Sequence, residues 1–399
     1  MRILFLSHRL PHSEVAGGHR LVYERIKYLV DRGHEVGLAT LVSKDERPFV
    51  QSLKEILFEM QTLQAPSRHR YRRVANYFNA IPAIFLHHYS RRMMRYVGEM
   101  VERHKYDLVI AEFSEMGQYL YRNPYLPAVH KIISCHRCLT SIFDNYVHTK
   151  ELSMGLRFKS WIQTQTISQY EFEVYSCADR LLTLTSEDKY DLLKYSPDLN
   201  ISIVPAGVDV EPLDAGQDIS REQIILMTGF FGDVANEDAA EWFITRIWPE
   251  LRRKNPILQF YIVGEAPPER LRRMARHDER IKVTGRVDDL RPYRKMAQVF
   301  VCPVRLGAGS RTKCLEAMVS GLPVVSTSLG MHGLPAENGN NCFVADTPEL
   351  MVECIEWLLS DEELRENMAH KARQIIETRF PSEKTMAYFE RILEETVAQ

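Results

Sequence analysis

Two absences narrow the classes of protein to which this sequence can belong. No apolar run approaches the ~18 residues that a membrane-spanning helix needs, and the run Ile3–Leu6 is too short for a secretory signal peptide. The charges nearly cancel, giving a net charge of -2, whereas proteins dedicated to nucleic acids usually carry a basic excess. We therefore expect a cytoplasmic protein that does not bind nucleic acid.

Cysteine is sparse and irregularly spaced. The chain has seven cysteines, an odd number without a regular framework, which favours reduced thiols. Cys135 and Cys138 form a C-x-x-C pair, but a structural zinc site needs four ligands and no second pair is visible. His87 and His88 likewise lack further ligands. We therefore predict no metal site.

The length and the pattern of the chain predict two domains. A chain of 399 residues is long for a single core. Apolar runs alternate with helical patterns, which indicates parallel sheets with helices on both faces. Residues 205–222 are rich in proline, glycine and acidic residues and mark a boundary. We predict an α/β protein whose two doubly wound, Rossmann-like domains, 1–205 and 206–380, face each other across a cleft, with a C-terminal helix over 381–399 packing back on the first.

The predicted elements can be stated individually. Strands are predicted at 2–7, 35–41, 107–112, 130–135, 180–184, 201–204, 224–228, 258–263, 281–284, 299–302, 323–326 and 341–344. Helices of the second half are predicted at 237–254, 267–276, 311–320, 347–359, 361–379 and 382–397, and a long helix of the first half near 151–176.

The most informative segment reads GAGSRTKCLEAMVSGLPVVST, a glycine-rich loop followed by a short helical pattern and an apolar run. Small residues such as Gly309 and Ser310 allow a backbone to come close to a ligand. Free N–H groups at a helix start, with Arg311 and Lys313 beside them, form an anion site. One helical turn further, Glu316 can accept hydrogen bonds from a diol. Phosphate plus diol describes a nucleotide ribose, so the segment predicts binding of a nucleotide sugar.

His136 is a second candidate for function. It follows the apolar run Ile132–Cys135 and should therefore lie at the carboxyl end of a strand, where open α/β sheets place their ligands. A hydrogen-bonded structural histidine would explain the same position.

Basic residues occur in two runs of the N-terminal half, 68–73 and Arg91–Arg95, the second near Phe85 and Tyr89. Basic residues mixed with aromatic ones can contact anionic lipid head groups or a lipid diphosphate. A solvated helical face explains the same pattern. A peripheral contact with the inner face of the plasma membrane therefore stays open.

Four segments in order resemble those of the GT-B glycosyltransferases of glycosyltransferase family 4. They are Gly17-Gly18 with RGHEV at 32–36, residues 178–187 with PAGVD at 205–209, residues 262–264 with 283–287, and residues 307–327. The last segment is most similar to bacterial sugar transferases of exopolysaccharide and PEP-CTERM-associated clusters.

The resemblance implies a reaction. It implies that a sugar, as in hexosyltransferases, moves from a nucleotide diphosphate sugar to a hydroxyl of a glycan or lipid-linked acceptor, with retention at the anomeric carbon. The donor would bind the C-terminal domain and the acceptor the N-terminal one. It implies no cofactor and no metal, and the sequence has no Asp-x-Asp motif.

The resemblance also implies roles for individual residues. The nucleobase would be held by main chain near residues 285–287, and the ribose by Glu316. Catalytic roles fall to Arg311 and Lys313 at the leaving diphosphate and to His136 at the acceptor or the transferred sugar. The residues assigned to donor binding are Gly17, Gly18, Gly229, Gly285, Arg286, Val287, Gly309, Ser310 and Glu316.

Two departures from the family pattern keep alternatives open. Ala308 stands where the first Glu of the E-x7-E motif belongs, and residues 229–236 lack the Arg and Lys that usually clamp the diphosphate. We predict that Arg311 and Lys313 take over that role. The alternatives are a nucleotide-sugar epimerase or hydrolase of the same fold, and a non-catalytic partner that binds a sugar nucleotide.

Overall fold

The computed structural model describes residues 1–13, 17–65, 81–149, 154–210, 223–307 and 312–399, with the backbone alone for 145–149 and 154–159. The chain divides into two compact units. Unit 1 comprises Met1–Pro205 with Met386–Gln399, and unit 2 comprises Ala206–Thr385. Each unit has one parallel sheet, of seven and six strands. The predicted α/β class with two doubly wound parallel sheets is confirmed.

The sheet of unit 1 consists of β1 (Arg2–Ser7), β2 (Glu35–Val42), β3 (Glu59–Gln64), β4 (Leu108–Glu112), β5 (His130–Cys135), β6 (Arg180–Thr183) and β7 (Ile201–Ile203). Their order is β3-β2-β1-β4-β5-β6-β7. β1 pairs with β2 on one side and with β4 on the other. The winding therefore reverses between β1 and β4, and open α/β sheets bind ligands beyond the carboxyl ends of strands at such a point.

The described helices of unit 1 pack on this sheet through apolar faces. In α1, the buried residues Leu21, Val22, Arg25, Ile26 and Leu29 recur at helical spacing, so a single charged residue lies on an otherwise apolar face. The described α-helices are α1 (Gly18–Asp31), α2 (Val50–Ile56), α3 (Ala83–Leu86), α4 (Arg91–His104), α5 (Leu139–Thr149), α6 (Met154–Tyr175) and α7 (Ser186–Tyr195).

The sheet of unit 2 consists of β8 (Ile224–Thr228), β9 (Gln259–Val263), β10 (Ile281–Gly285), β11 (Val299–Cys302), β12 (Val324–Ser326) and β13 (Phe343–Val344). Their order is β10-β9-β8-β11-β12-β13, so the winding reverses between β8 and β11. The described α-helices are α8 (Val234–Trp242), α9 (Trp248–Lys254), α10 (Glu269–Arg276), α11 (Arg291–Met296), α12 (Thr312–Val319), α13 (Pro348–Ser360), α14 (Glu362–Arg379) and α15 (Ser382–Val397). A π-helical segment, Phe243–Ile247, joins α8 to α9.

The last helix, α15, continues from unit 2 into unit 1, where its residues from Met386 onward belong. There Phe389, Ile392 and Leu393 are buried in the core on the same side of the sheet as α1. Glu390 accepts hydrogen bonds from the Tyr28 hydroxyl and the His34 ring at 3.0 and 2.8 Å. The two ends of the chain therefore build one core.

None of the helices in the described ranges combines the length and the apolar composition that crossing a bilayer requires.

Candidate functional site

In unit 1, three neighbouring strands deliver aromatic rings to one edge of the sheet. The residues that directly follow β1, β4 and β5 are His8, Phe113 and His136. Phe113 stacks on His136 with the ring centroids 4.1 Å apart, and His8 meets the edge of Phe113 at 4.6 Å. His19, from the first turn of α1, and His88 complete the group at 4.4 Å from Phe113 and 4.5 Å from His8. We call these five residues the histidine cluster.

The two glycines at the start of α1 are required for different reasons. Gly17 has φ of 69° and ψ of -145°, a backbone conformation that side chains rarely tolerate. Gly18 is helical, but a Cβ there would lie 2.9 Å from Nδ1 of His136 and 3.0 Å from Cε1 of Phe113. The absent side chain therefore lets the start of α1 approach the histidine cluster closely.

Phe113 holds a strained backbone. Its φ is 73°, a value that costs a non-glycine residue about 1–3 kcal/mol. Its N–H donates to the Ser134 carbonyl at 2.9 Å, which anchors the strained residue to β5. Such strain often accompanies functional sites, and here it accompanies a ring that contacts both His8 and His136.

His136 is tied to a buried ion pair. Its Nε2 lies 2.8 Å from Oε2 of Glu112, and Nη1 of Arg25 donates to Oε1 of Glu112 at 3.1 Å. Both Arg25 and Glu112 are fully buried. Burial by itself would raise the pKa of Glu112, but the Arg25 charge and the hydrogen bond with His136 outweigh it and hold the pKa at about 2. The Glu112 carboxyl is therefore ionised.

The other histidines of the cluster are uncharged at neutral pH. Burial lowers the pKa of His8 to about 3, and burial also lowers the pKa of His19 and of His88 below the ordinary value. The Nδ1 atoms of His8 and His19 are buried, and neither has a hydrogen-bond partner in the described part of the chain. The cluster thus offers neutral rings and unused nitrogens.

In unit 2, three glycines meet where β8, β9 and β10 end. The N–H of Gly229 donates to the Val263 carbonyl at 3.2 Å, and that of Gly264 to the Gly285 carbonyl at 3.1 Å. A Cβ on Gly264 would lie 1.8 Å from the Gly229 carbonyl oxygen. Gly285 has a positive φ of 78°. These three glycines, which we call the glycine floor, bring backbone together at the carboxyl edge of the sheet.

Lys313 stands beside the loop that follows β8. Its Nζ donates to Oδ1 of Asn236 at 2.6 Å, and Nδ2 of Asn236 donates to the Phe230 carbonyl at 2.9 Å. Asn236 therefore links the first turn of α12 to the loop that opens with Gly229. The positive charge of Lys313 thus lies close to residues 229–236, which contain no Arg or Lys.

Glu316 is held by a partner that sequence reasoning missed. Nη2 of Arg294, on the helix after β10, donates to Oε2 of Glu316 at 3.0 Å. The Glu316 side chain keeps 38% of its surface exposed, whereas that of Arg294 keeps 16%. The structure therefore shows Glu316 in an ion pair with Arg294.

The remaining predicted residues separate into described and undescribed ones. Ala308, Gly309, Ser310 and Arg311, and the basic run 68–73, lie outside the described residues. Arg286 and Val287 follow directly on β10, with Arg286 exposed and Val287 partly buried.

The second basic run lies at the start of α4. Arg91, Arg92 and Arg95 are exposed there, and Met93 between them is buried.

The cysteines are thiols, and six of them are buried. All seven are free. Burial raises the pKa of Cys135 to about 12 and that of Cys138 higher still, so neither is a ready nucleophile or metal ligand. Within the described ranges, no group of three or more His, Cys, Asp or Glu could hold a metal ion.

Arg25, Glu112, Phe113 and Asn236 are functional candidates that the sequence analysis did not select. The sequence pattern could have identified two of them, Arg25 and Glu112. Arg25 interrupts the apolar face of α1, and Glu112 ends the apolar strand LVIAE. Opposite charges within two apolar patterns indicate a buried pair, because unpaired charges are almost never buried.

Family models match both units of the chain. Residues 15–212 match the family model Glycosyltransferase Family 4, and residues 222–361 match Glycosyl transferases group 1. An "Uncharacterized 44.6 kDa protein in cps region" of Klebsiella pneumoniae is 23% identical over 97% of this chain and 98% of that protein.

Solved structures share the fold over nearly the whole length of the chain. Sucrose-phosphate synthase of Thermosynechococcus elongatus superposes with a TM-score of 0.79 at 17% identity, over 100% of both chains. HepE of Anabaena, solved in complex with UDP and glucose, gives 0.71 at 14% identity, over 98% of this chain and 99% of that one. At these identities the likeness shows the fold alone.

Proposed function

Because the chain is a GT-B glycosyltransferase, with family models matching a large part of each unit, we propose that it moves a sugar from a nucleotide diphosphate sugar to a hydroxyl acceptor with retention at the anomeric carbon. The acceptor would be a glycan or a lipid-linked glycan of the cell surface. A relative named for a cps region and the resemblance to exopolysaccharide enzymes support that setting.

The observation that carries the proposal is the position of Lys313 and Glu316 on α12, with Lys313 reaching the loop that opens with Gly229 through Asn236. Lys313 supplies a positive charge beside this glycine-containing loop, which suits a diphosphate. Glu316, one helical turn later, suits the two hydroxyls of a ribose. HepE of Anabaena, which shares the fold, was solved in complex with UDP and glucose, and this supports a nucleotide-sugar donor.

The donor would therefore lie on unit 2. Its diphosphate would contact Gly229 and Lys313, together with Gly309, Ser310 and Arg311 as the resemblance implies. Its base would lie near residues 285–287. Ribose binding would require Glu316 to share its carboxylate between the ligand and Arg294.

The acceptor would lie on unit 1, next to Gly17, Gly18 and the histidine cluster. Retaining transfer does not require a side chain as base, because the departing phosphate can take the proton of the acceptor hydroxyl. His136 would then act as a contact of the acceptor or of the transferred sugar. Stabilisation of the departing diphosphate by Lys313 would supply the main electrostatic contribution.

The direct test is a thermal-shift screen of the purified protein against nucleoside diphosphates and their sugars. A ligand at about 100 times its dissociation constant adds about 2.7 kcal/mol to stability. We expect one nucleotide to raise Tm, and Glu316→Ala to remove most of that shift. Glu250→Ala is the matched control, since it removes an exposed carboxylate paired with Arg253 elsewhere in unit 2. A wild-type protein that responds to no nucleotide would contradict the proposed donor.

A second expected result concerns the approach of α1 to His136. Gly18→Ala should leave the helix as stable or more so, since alanine favours helices by about 1 kcal/mol over glycine. Its methyl group should nevertheless displace His136 or Phe113 and lower kcat/KM for transfer by about 10²-fold, the usual effect of a 1 Å misplacement. Steady-state kinetics and Tm are measured on the same preparations.

Gly33→Ala serves as the control for this change. Gly33 has a positive φ of 85°, and a Cβ there meets nothing within 4 Å. It should lower Tm by straining the backbone and leave transfer unchanged. Equal kcat/KM in the Gly18 variant and the wild-type protein would show that the close approach has no role in transfer.

A further inference from the structure

We propose that Glu112 is a positioning residue that keeps the imidazole proton of His136 on Nε2, so that Nδ1 faces Gly18 as a hydrogen-bond acceptor for a ligand hydroxyl. This inference rests on the proposed placement of a hydroxyl-bearing substrate on unit 1. It assigns a role to Glu112, specifies the tautomer of His136 and identifies a hydroxyl as the ligand group that His136 contacts.

The donors and acceptors around Glu112 determine which nitrogen of His136 carries the proton. The guanidinium of Arg25 can only donate, and its Nη1 lies 3.1 Å from Oε1 of Glu112 and 3.4 Å from Oε2, so it is nearer to Oε1. The ionised carboxylate of Glu112 can only accept. The 2.8 Å contact between Oε2 and Nε2 of His136 is therefore a hydrogen bond in which the imidazole donates. In the neutral ring, Nδ1 must then carry the lone pair.

The ion pair cannot easily turn away from this arrangement. Arg25 also donates to the Ser134 hydroxyl at 2.9 Å, and its guanidinium lies 4.5 Å from the centroid of the Phe389 ring. All of these groups are buried. Because leaving a buried charge unpaired is strongly unfavourable, Glu112 is held between Arg25 and His136.

Nδ1 of His136 faces Gly18, where the chain has no side chain. Nδ1 of His136 is the atom that a Cβ on Gly18 would meet first, at 2.9 Å. A second constraint comes from Phe113, which stacks on one face of the ring at an interplanar angle of 22°. The orientation of His136 is thus fixed by Glu112 on one edge and by Phe113 on one face.

A lone pair at this position selects the chemistry of the ligand. It accepts a hydrogen bond from a hydroxyl, as in a sugar, and repels the oxygens of a phosphate. Burial keeps the neighbouring rings of His8 and His19 neutral, because it lowers their pKa values. The ligand group next to His136 is therefore a hydrogen-bond donor such as a sugar or acceptor hydroxyl.

The tautomer can be measured directly by NMR of protein labelled with ¹⁵N-histidine, at a pH about two units above the ordinary histidine pKa of ~6.5. The His136 signals are assigned by their loss in His136→Gln. We expect the proton on Nε2 in the wild-type protein. A proton on Nδ1, in the other tautomer or in a persistent imidazolium, would overturn the proposal without any further variant.

Glu112→Gln should reverse the tautomer. The amide oxygen must turn to Arg25, which can only donate, so the amide NH₂ faces His136 and requires Nε2 to accept. The imidazole proton should therefore move to Nδ1, whereas Glu112→Asp should keep it on Nε2. An unchanged tautomer in Glu112→Gln would show that Glu112 does not determine which nitrogen of His136 carries the proton.

Transfer kinetics test the consequence for function. We expect kcat to fall about 10²-fold or more in Glu112→Gln with little change in KM for the donor, and to recover in part in Glu112→Asp; an equivalent change in the serine-protease triad lowers kcat by ~10⁴. Glu390→Gln is the control, because it removes another carboxylate of unit 1 that bonds a histidine and should lower Tm alone.

The outcomes separate this inference from the proposed function. Unchanged transfer in His136→Gln would overturn the ligand contact assigned here, although the enzyme would remain a transferase. A wild-type protein that transfers no sugar while its His136 proton is on Nε2 would instead count against the proposed function.

Discussion

Lys313→Ala is expected to lower kcat for sugar transfer by roughly 10²–10³-fold, or about 3–4 kcal/mol, which is the usual effect of removing one charge-stabilising donor at a leaving group. The reason is local. Residues 229–236 contain no Arg or Lys, and Lys313 reaches this loop through Asn236 at 2.6 Å. Turnover and donor affinity are measured with the nucleotide sugar that the thermal-shift screen identifies.

Lys282→Ala is the matched control for Lys313. It removes one positive charge from an exposed position of β10 in the same unit, and it should change neither kcat nor donor affinity. If Lys313→Ala also left both quantities unchanged, Lys313 would not be the substitute for the missing diphosphate clamp. Asn236→Ala should give an intermediate loss, because Lys313 keeps its charge but loses its anchor.

Gly264→Ala is expected to destabilise unit 2 by about 3 kcal/mol or more. Its Cβ would lie 1.8 Å from the Gly229 carbonyl oxygen, a backbone atom that cannot rotate away. Overpacking alone typically costs about 1–3 kcal/mol, and the positive φ of 153° adds backbone strain. Urea unfolding followed by tryptophan fluorescence measures the effect, since Trp242, Trp248 and Trp357 lie in unit 2 and only Trp161 in unit 1.

Gly339→Ala separates the clash from the strain. Gly339 also has a positive φ, of 77°, and a Cβ there meets nothing within 4 Å. It should cost about 1–2 kcal/mol, the usual penalty for a left-handed alanine. If the Gly264 variant were no less stable than the Gly339 variant, the backbone at the glycine floor could move apart without loss of stability. The close approach of Gly264 to Gly229 would then not contribute to the stability of unit 2.

The fold followed from the sequence because its strands are buried on both faces. Runs such as RILFLS and IILMT are almost wholly apolar, and a parallel sheet between helix layers requires this. The edge strand β3 reads EMQTLQ and is only partly buried, so it lacks the apolar run that marked the others and was not predicted.

The candidate site was less accessible to sequence reasoning. Glycines, Lys313, Glu316 and His136 could be selected because each belongs to a recognisable local pattern. The partners Arg294, Asn236 and Glu112 lie 22, 77 and 24 positions away from the residues they bond. Tertiary packing alone creates such contacts, and no local pattern predicts their distances.

The position of α15 affects how the protein is made. Translation runs from the N-terminal to the C-terminal side, yet Phe389, Ile392 and Leu393 complete a core whose other buried residues lie between positions 3 and 204. Unit 2, whose residues precede Met386, can assemble while the chain is still being synthesised. The core of unit 1 stays incomplete until α15 has left the ribosome. A nascent chain interrupted before residues 386–397 are made would therefore expose Arg25 and its neighbours, a target for chaperones and proteases.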